Sequence, residues 1–224
     1  MAIEIQRMSY QEETGTITGK KLRGASVEEV DKFNDDLTNI AAQYGMDSIR
    51  SAIEEYKEEI WVLVRQVMEQ ANAPYGGSGA RGAEICMRPL RPIDVGIAAD
   101  IWDVDSTGIT VVTVAEREVT KINADTMGEE EGNILIGALN EHGDQRVVNA
   151  YRWSKNQVDY PALTLPFPYA DPDRATFVKF QAPIIQFTEE TLTLYQNTVR
   201  AQFSYVALVG LHACRASDIA NTYS

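Results

Sequence analysis

Residues Thr176–Ala213 read TFVKFQAPIIQFTEETLTLYQNTVRAQFSYVALVGLHA, the longest apolar-rich tract of the chain. With a period of two, Val199, Ala201, Phe203, Tyr205, Ala207 and Val209 share one face, and Arg200, Gln202 and Ser204 share the other, the pattern of a half-buried strand. Tyr195, Val199, Phe203, Val206 and Ala213 also recur at helical spacing. Strand is favoured because the β-branched and aromatic side chains enriched here fit a pleated surface better than a helical one. Past Ser204 the second face turns apolar too. Val206 and Leu208 therefore predict a strand that runs from a wetted region into one covered on both sides, by the chain's own core or by another subunit. Upstream, Pro183–Phe187 and Leu192–Tyr195 predict two shorter strands joined by the polar turn Thr188–Thr191.

The same texture extends back toward the middle of the chain. Val95–Val104, Ile109–Ile122, Asn133–Leu139, Val147–Trp153 and Leu163–Tyr169 predict further short strands, separated by turn-forming runs such as Asp105–Gly108, Met127–Gly132, Asn140–Asp144 and Ala170–Asp173. Seven or eight such strands without intervening helical patterns predict an antiparallel sandwich or barrel. The N-terminal third reads differently. Ser26–Glu29 is a capping box, after which Val27, Val30, Phe33, Leu37, Ile40 and Tyr44 keep one apolar face up to Gly45, placed for a left-handed cap. A second helix from Asp47 to about Asn72 carries Ile49, Ile53, Tyr56, Ile60, Val64, Val67 and Ala71, with Pro74 as its stop. Trp61 and Leu63 widen that stripe, which predicts contact beyond the first helix, with the β region or with a second copy.

The expected fold class is therefore α+β: an extended arm over 1–25, a helical hairpin over 26–74, a Gly/Pro-rich hinge over 75–92 and a mainly antiparallel, jelly-roll-like β-sandwich over 93–224. The chain has 224 residues, 44% hydrophobic and 24% charged, ample for a real core. Its net charge of -13, with 13 Arg against 7 Lys, argues against binding nucleic-acid phosphates or an anionic membrane, both of which call for gathered cations. No run approaches the ~18 consecutive apolar residues of a membrane span, and the N-terminal residues lack a signal-peptide core. A soluble protein made in the cytoplasm is expected. Cys86 and Cys214 form no CxxC or Cys/His cluster. Two isolated thiols read as plain core residues, although spacing alone leaves a disulfide between them open.

Each motif that hints at chemistry has a simpler explanation. Gly77–Gly82 matches GxGxxG, with Asp100 and Asp103 about 20 residues on, but a dinucleotide site needs a strand before the glycines and a helix after them. Here a helix precedes and a Pro-containing extended segment follows, so no cofactor is expected. Asp103, Asp105 and Thr107, followed by Gly108, imitate the start of a calcium loop, but position twelve is Val114 where a bidentate Glu is required. These three remain the metal candidates, as a weak acidic cation loop. Glu129–Glu131 reads as a solvated run. His142 and His212 are the only histidines; His212 beside Cys214 is the one nucleophile-base pair, and nothing nearby in sequence supplies a third, orienting group. No catalytic residue is assigned.

In layout (extended arm, helix pair, β-sandwich body) the chain resembles viral coat and capsid-associated proteins of the single jelly-roll type, over residues 90–213, on strand count and order rather than on any motif. The resemblance implies a self-assembling structural protein of a virion, with other copies of itself and other structural proteins as partners. The resemblance carries no functional residue over to particular positions; it is the apolar patterning itself that makes Trp61 and Leu63, Val206 and Leu208, and the Pro-rich strap Pro166, Phe167, Pro168 and Tyr169 the expected interfaces, the strap otherwise serving as a structural cover. The alternatives are a β-rich module that binds a ligand or a protein through its loops, and an enzyme with a dispersed site drawn from Asp100, Asp103, His142 and Asp144.

Overall fold

The computed structural model describes residues 25–76, 84–105, 117–140, 148–165, 175–198 and 203–218. Three helices come first: α1 (Val27–Tyr44), α2 (Asp47–Glu55) and α3 (Lys57–Ala71). Ten strands follow: β1 (Ile85–Pro89), β2 (Val104–Asp105), β3 (Arg117–Thr126), β4 (Gly132–Asn140), β5 (Val148–Lys155), β6 (Val158–Thr164), β7 (Thr176–Gln186), β8 (Thr191–Thr198), β9 (Phe203–Ser204) and β10 (Val206–Arg215).

The pairing is nested. β1 pairs with β10, β2 with β9, β3 with β8, β4 with β7 and β5 with β6, all antiparallel, as though one long hairpin had been rolled up. Two further pairings, β10 with β4 and β8 with β5, close the roll into four-stranded sheets of order β1-β10-β4-β7 and β3-β8-β5-β6. That wiring is the jelly roll of the α+β class expected from the sequence.

The molecule has three layers because β4 and β10 are apolar on both faces. Ile134, Ile136, Val209, Leu211 and Ala213 meet the helices, while Leu135, Ala138, Val206 and Leu208 meet the second sheet. The two faces of β4 and β10 thus serve two cores, and in β4 the alternation is reset at the register shift between Leu135 and Gly137, past which Ala138 joins Leu135 in the core between the sheets.

The capping box forms as expected: Ser26 Oγ accepts from the Glu29 amide at 3.2 Å, and Glu29 Oε2 accepts from the Ser26 amide at 2.8 Å. Gly45 takes the left-handed cap at φ 68°. The expected second helix is in fact two. It breaks at Tyr56, whose hydroxyl donates to Phe180 O at 2.5 Å. That carbonyl lies in an irregular part of β7, where residues 180–183 face only Ile136 of β4. The interruption is slight, because the Tyr56 amide still donates to Ala52 O at 3.0 Å and the Ile60 amide to Tyr56 O at 2.9 Å. The helices also lie on the sheet as a layer and do not form a free-standing hairpin.

Among the described residues the helices and the β body share one core. Tyr75 is fully buried, the Ile85 amide donates to Pro74 O at 2.8 Å, and one continuous core joins α1–α3 to β1, β4 and β10. The glycine-rich stretch 77–83 lies outside the described residues.

Three strand expectations shift. Val95–Val104 is mostly not a strand; it follows a 3-10 turn, Pro92–Val95, held by Asp94 Oδ2 accepting from the Arg91 amide at 2.7 Å. Of the strand expected at Leu163–Tyr169, residues 166–169 lie outside the described residues, while Leu163 and Thr164 end a strand that begins at Val158, ahead of the expected start. The long C-terminal strand is interrupted at Tyr205, with β9 before it and β10 after it. β10 is buried on both faces from Val206 through Cys214, the first of the two alternatives read from Val206 and Leu208: its covering comes from the chain's own core.

The same correction applies to Trp61 and Leu63. Trp61 packs edge-to-face on Phe33, with ring centroids 5.0 Å apart, and on Tyr75 at 6.1 Å, and Leu63 is fully buried against Gly132, where an added Cβ would sit 2.4 Å from its Cδ1. Trp61, Leu63, Val206 and Leu208 are core residues of one chain and not interface residues. Pro166, Phe167, Pro168 and Tyr169 lie outside the described residues. Among the described residues, no helix is long and apolar enough to cross a membrane.

Candidate functional site

At the end of the roll where β3 turns into β4, a cleft of about 260 Å³ opens among polar side chains. β1 supplies Arg88, the 3-10 turn Asp94, β3 Asp125, the β3–β4 turn Glu131, and β10 both His212 and Cys214. Alternation along β10 places His212 and Cys214 on the same face, and antiparallel register sets them opposite Arg88 and Cys86 of β1.

The floor of the cleft is a connected polar network. Arg88 holds Asp94 in a bidentate ion pair, both contacts at 2.5 Å, with both side chains nearly excluded from solvent. Asn133 Nδ2 donates to Asp94 O at 2.7 Å and to Gln186 Oε1 at 3.4 Å. Gln186 Nε2 in turn donates to Asp125 O at 2.9 Å and to Glu190 O at 3.0 Å. With its amide nitrogen so engaged, Asn133 presents Oδ1 to His212 Nδ1 at 2.7 Å. The imidazole then carries a proton on Nδ1, so that in the neutral ring the lone pair is on Nε2.

Cys214, His212 and Asn133 are thus a thiol, a base and an orienting amide, the residue types of a nucleophilic array. The electrostatics oppose that use. Hydrogen bonding with Cys86 and burial push the Cys214 thiol far above its ordinary range, more than His212 lowers it. A protonated, buried thiol is a poor nucleophile. Asp125 and Glu131 are raised as well, first by burial, with Asp94 adding to both and Asp218 to Glu131. The cleft is therefore a region of strained negative charge neutralised at one point by Arg88.

The residues singled out from sequence fall elsewhere. Asp100 is paired with Arg91, which lowers its carboxyl. Asp103 is exposed, and Asp105 pairs through its backbone with Phe203 in a short β ladder. Thr107, His142 and Asp144 lie outside the described residues. Among the described residues no group of three or more His, Cys, Asp or Glu could hold a metal ion. Asn133, the orienting group missing from the sequence reading, comes from a strand 79 positions away from His212.

Asp103 does act on Lys121, a lysine buried at an irregular position between Thr120 and Ile122 of β3. Its ammonium donates to Trp102 O, and burial brings its pKa down to about 7 despite the opposing pull of Asp103. Below pH 7 the folded chain holds a buried charge; between pH 7 and the ordinary lysine value the unfolded chain binds the extra proton, so stability rises with pH across that window. Lys121→Met is expected to gain about 2 kcal/mol at pH 6 and to lose that advantage progressively toward pH 10. Urea unfolding at several pH values checks this, and an advantage that is flat or grows with pH would refute it.

No protein-family model matches the chain, and no curated protein matches it. Among solved structures it is similar to a family 35 carbohydrate binding module from an environmental isolate, at 10% identity over 64% of this chain and 77% of that one, with a TM-score of 0.20. It is also similar to dimeric latent PorU from Porphyromonas gingivalis, at 12% identity over 64% of this chain but only 14% of that one, with a TM-score of 0.22. Likeness at that level carries nothing about ligand or activity.

Proposed function

We propose that this chain is a self-assembling structural protein, a capsid-type shell subunit or shell-associated component that works through contacts with other copies. The observation that carries this is β6. Its sequence, VDYPALT, is mostly apolar, yet every residue of it except Leu163 is exposed. Val158 is 58% exposed, and Tyr160, although stacked on Trp153 at 4.1 Å, is still 38% exposed. A strand with this much uncovered apolar surface gains free energy when a second body covers it.

The contact is side chain to side chain. Pro161 falls at the register break between Tyr160 and Leu163 on an edge strand, where a missing N–H disfavours ladder pairing with a neighbour. The jelly-roll wiring fits the capsid-type resemblance, and the cleft network, with its thiol kept protonated, has the character of structural support.

Light scattering and sedimentation at low and high salt test the proposal. Particles or discrete oligomers are expected for the native chain, and Val158→Asp with Tyr160→Ser should shift them toward the 24.9 kDa monomer, because neither side chain belongs to a core. A native chain that stays monomeric under every condition would sink it.

A further inference from the structure

We propose that Cys86 and Cys214 are a redox latch, closing into a cross-strand disulfide between β1 and β10 when the chain meets a low-molecular-weight disulfide. This goes beyond the assembly proposal and does not depend on it. The two residues are 128 apart in sequence but directly opposite in register. The Leu90 amide donates to Gly210 O and the Ala216 amide to Glu84 O, so by alternation Cys86 and Cys214 occupy a hydrogen-bonded pair of the ladder. Such a pair holds its Cα atoms about 5.5 Å apart, inside the range that a disulfide spans. Both thiols are free, and Cys86 Sγ donates to Cys214 O at 3.8 Å. Each thiol is also the first influence on the other, with Cys86 lowered and Cys214 raised, as expected for two sulfurs within hydrogen-bonding reach.

The asymmetry sets the order of events. Cys86, half-buried and the more readily ionised of the two, attacks glutathione disulfide; the reagent's S–S bond breaks and one glutathione thiolate leaves. With the Cys86 thiol consumed, the hydrogen bond that most raised Cys214 is gone; Cys214 gives its proton to His212 Nε2, attacks Cys86 Sγ and expels the second glutathione. Two protein thiols are oxidised, one glutathione disulfide is reduced to two glutathiones, and the two protons end on the departing thiolates. The His212 tautomer fixed by Asn133 is the one that can accept that proton.

The bond would matter because, among the described residues, β1 is an edge strand paired with β10 alone, and it is the first strand after α3. Closing so long a loop restricts the unfolded chain strongly. The purified chain, incubated with glutathione disulfide, is expected to lose both titratable thiols under denaturing conditions, to carry no glutathione by mass, and to melt about 5–10 °C higher until dithiothreitol is added. Cys214→Ser should stop at the glutathione adduct of Cys86, and His212→Ala should slow closure and move its pH dependence upward. Two thiols still titrating after prolonged excess of reagent, a persistent adduct in the native chain, or a bond between two chains would each overturn the latch.

Discussion

Gly210→Ala is expected to yield a chain that is insoluble or melts at least about 10 °C below the native one. A Cβ at this position would lie 2.1 Å from Ile134 O and 3.0 Å from Leu135 Cα, backbone atoms of the adjoining strand that cannot rotate away. Relief requires β10 to move off β4 at the register shift between Val209 and Gly210, in the middle of the helix-backed sheet. The Tyr44 hydroxyl, donating to Gly210 O at 2.8 Å and accepting from its amide at 3.3 Å, would be displaced with it. Overpacking plus a broken buried hydrogen-bond set amounts to about 4 kcal/mol or more. Gly45→Ala is the control: nothing lies within 4 Å, and only its left-handed φ of 68° is penalised, at about 1 kcal/mol. Thermal unfolding followed by circular dichroism separates the two. Equal losses would show that the close approach of β10 to β4 is not what requires glycine.

Arg88→Met should cost about 3–5 kcal/mol, because it strands the buried Asp94 carboxylate without a cation. Asp94 also accepts from the Arg91 amide and so holds the 3-10 turn; its carbonyl anchors Asn133. The loss should reach the His212 site. Replacing both partners, Arg88→Met with Asp94→Leu, removes the orphaned charge and should recover part of the deficit, as expected where the penalty lies in desolvation. Guanidinium unfolding of the two single variants and the double variant forms the cycle. A single-variant loss below about 1 kcal/mol would mean that water reaches the carboxylate and that the pair is not structurally important.

Much of the fold was legible because its signals are local. The Ser26–Glu29 capping box, the Gly45 cap and the apolar stripes from Val30 to Ala41 and from Ile49 to Val67 each lie within a few turns of chain. The doubly apolar β10 announced a strand with both faces covered, although not that the chain covers them itself. What stayed hidden depends on distant partners. Tyr56 sits in a good helical neighbourhood, and its hydroxyl finds Phe180 O, 124 positions away, a contact that no local pattern signals. β6 gave no clear alternation because neither of its faces is buried, so a strand was expected later, at Leu163–Tyr169. Half of the candidate site was visible, as His212 beside Cys214. The other half, Asn133 and the opposite thiol Cys86, arrives only through strand register.

The nested pairing has a consequence for how the molecule is made. β10 lies between β1 and β4, so the sheet beneath the helices cannot close until the ribosome has delivered β10. Until then the oily sides of α1–α3 and β4 await a lining that has not yet been synthesised. A high contact order of this kind makes folding slow, with apolar surface uncovered until β10 is in place.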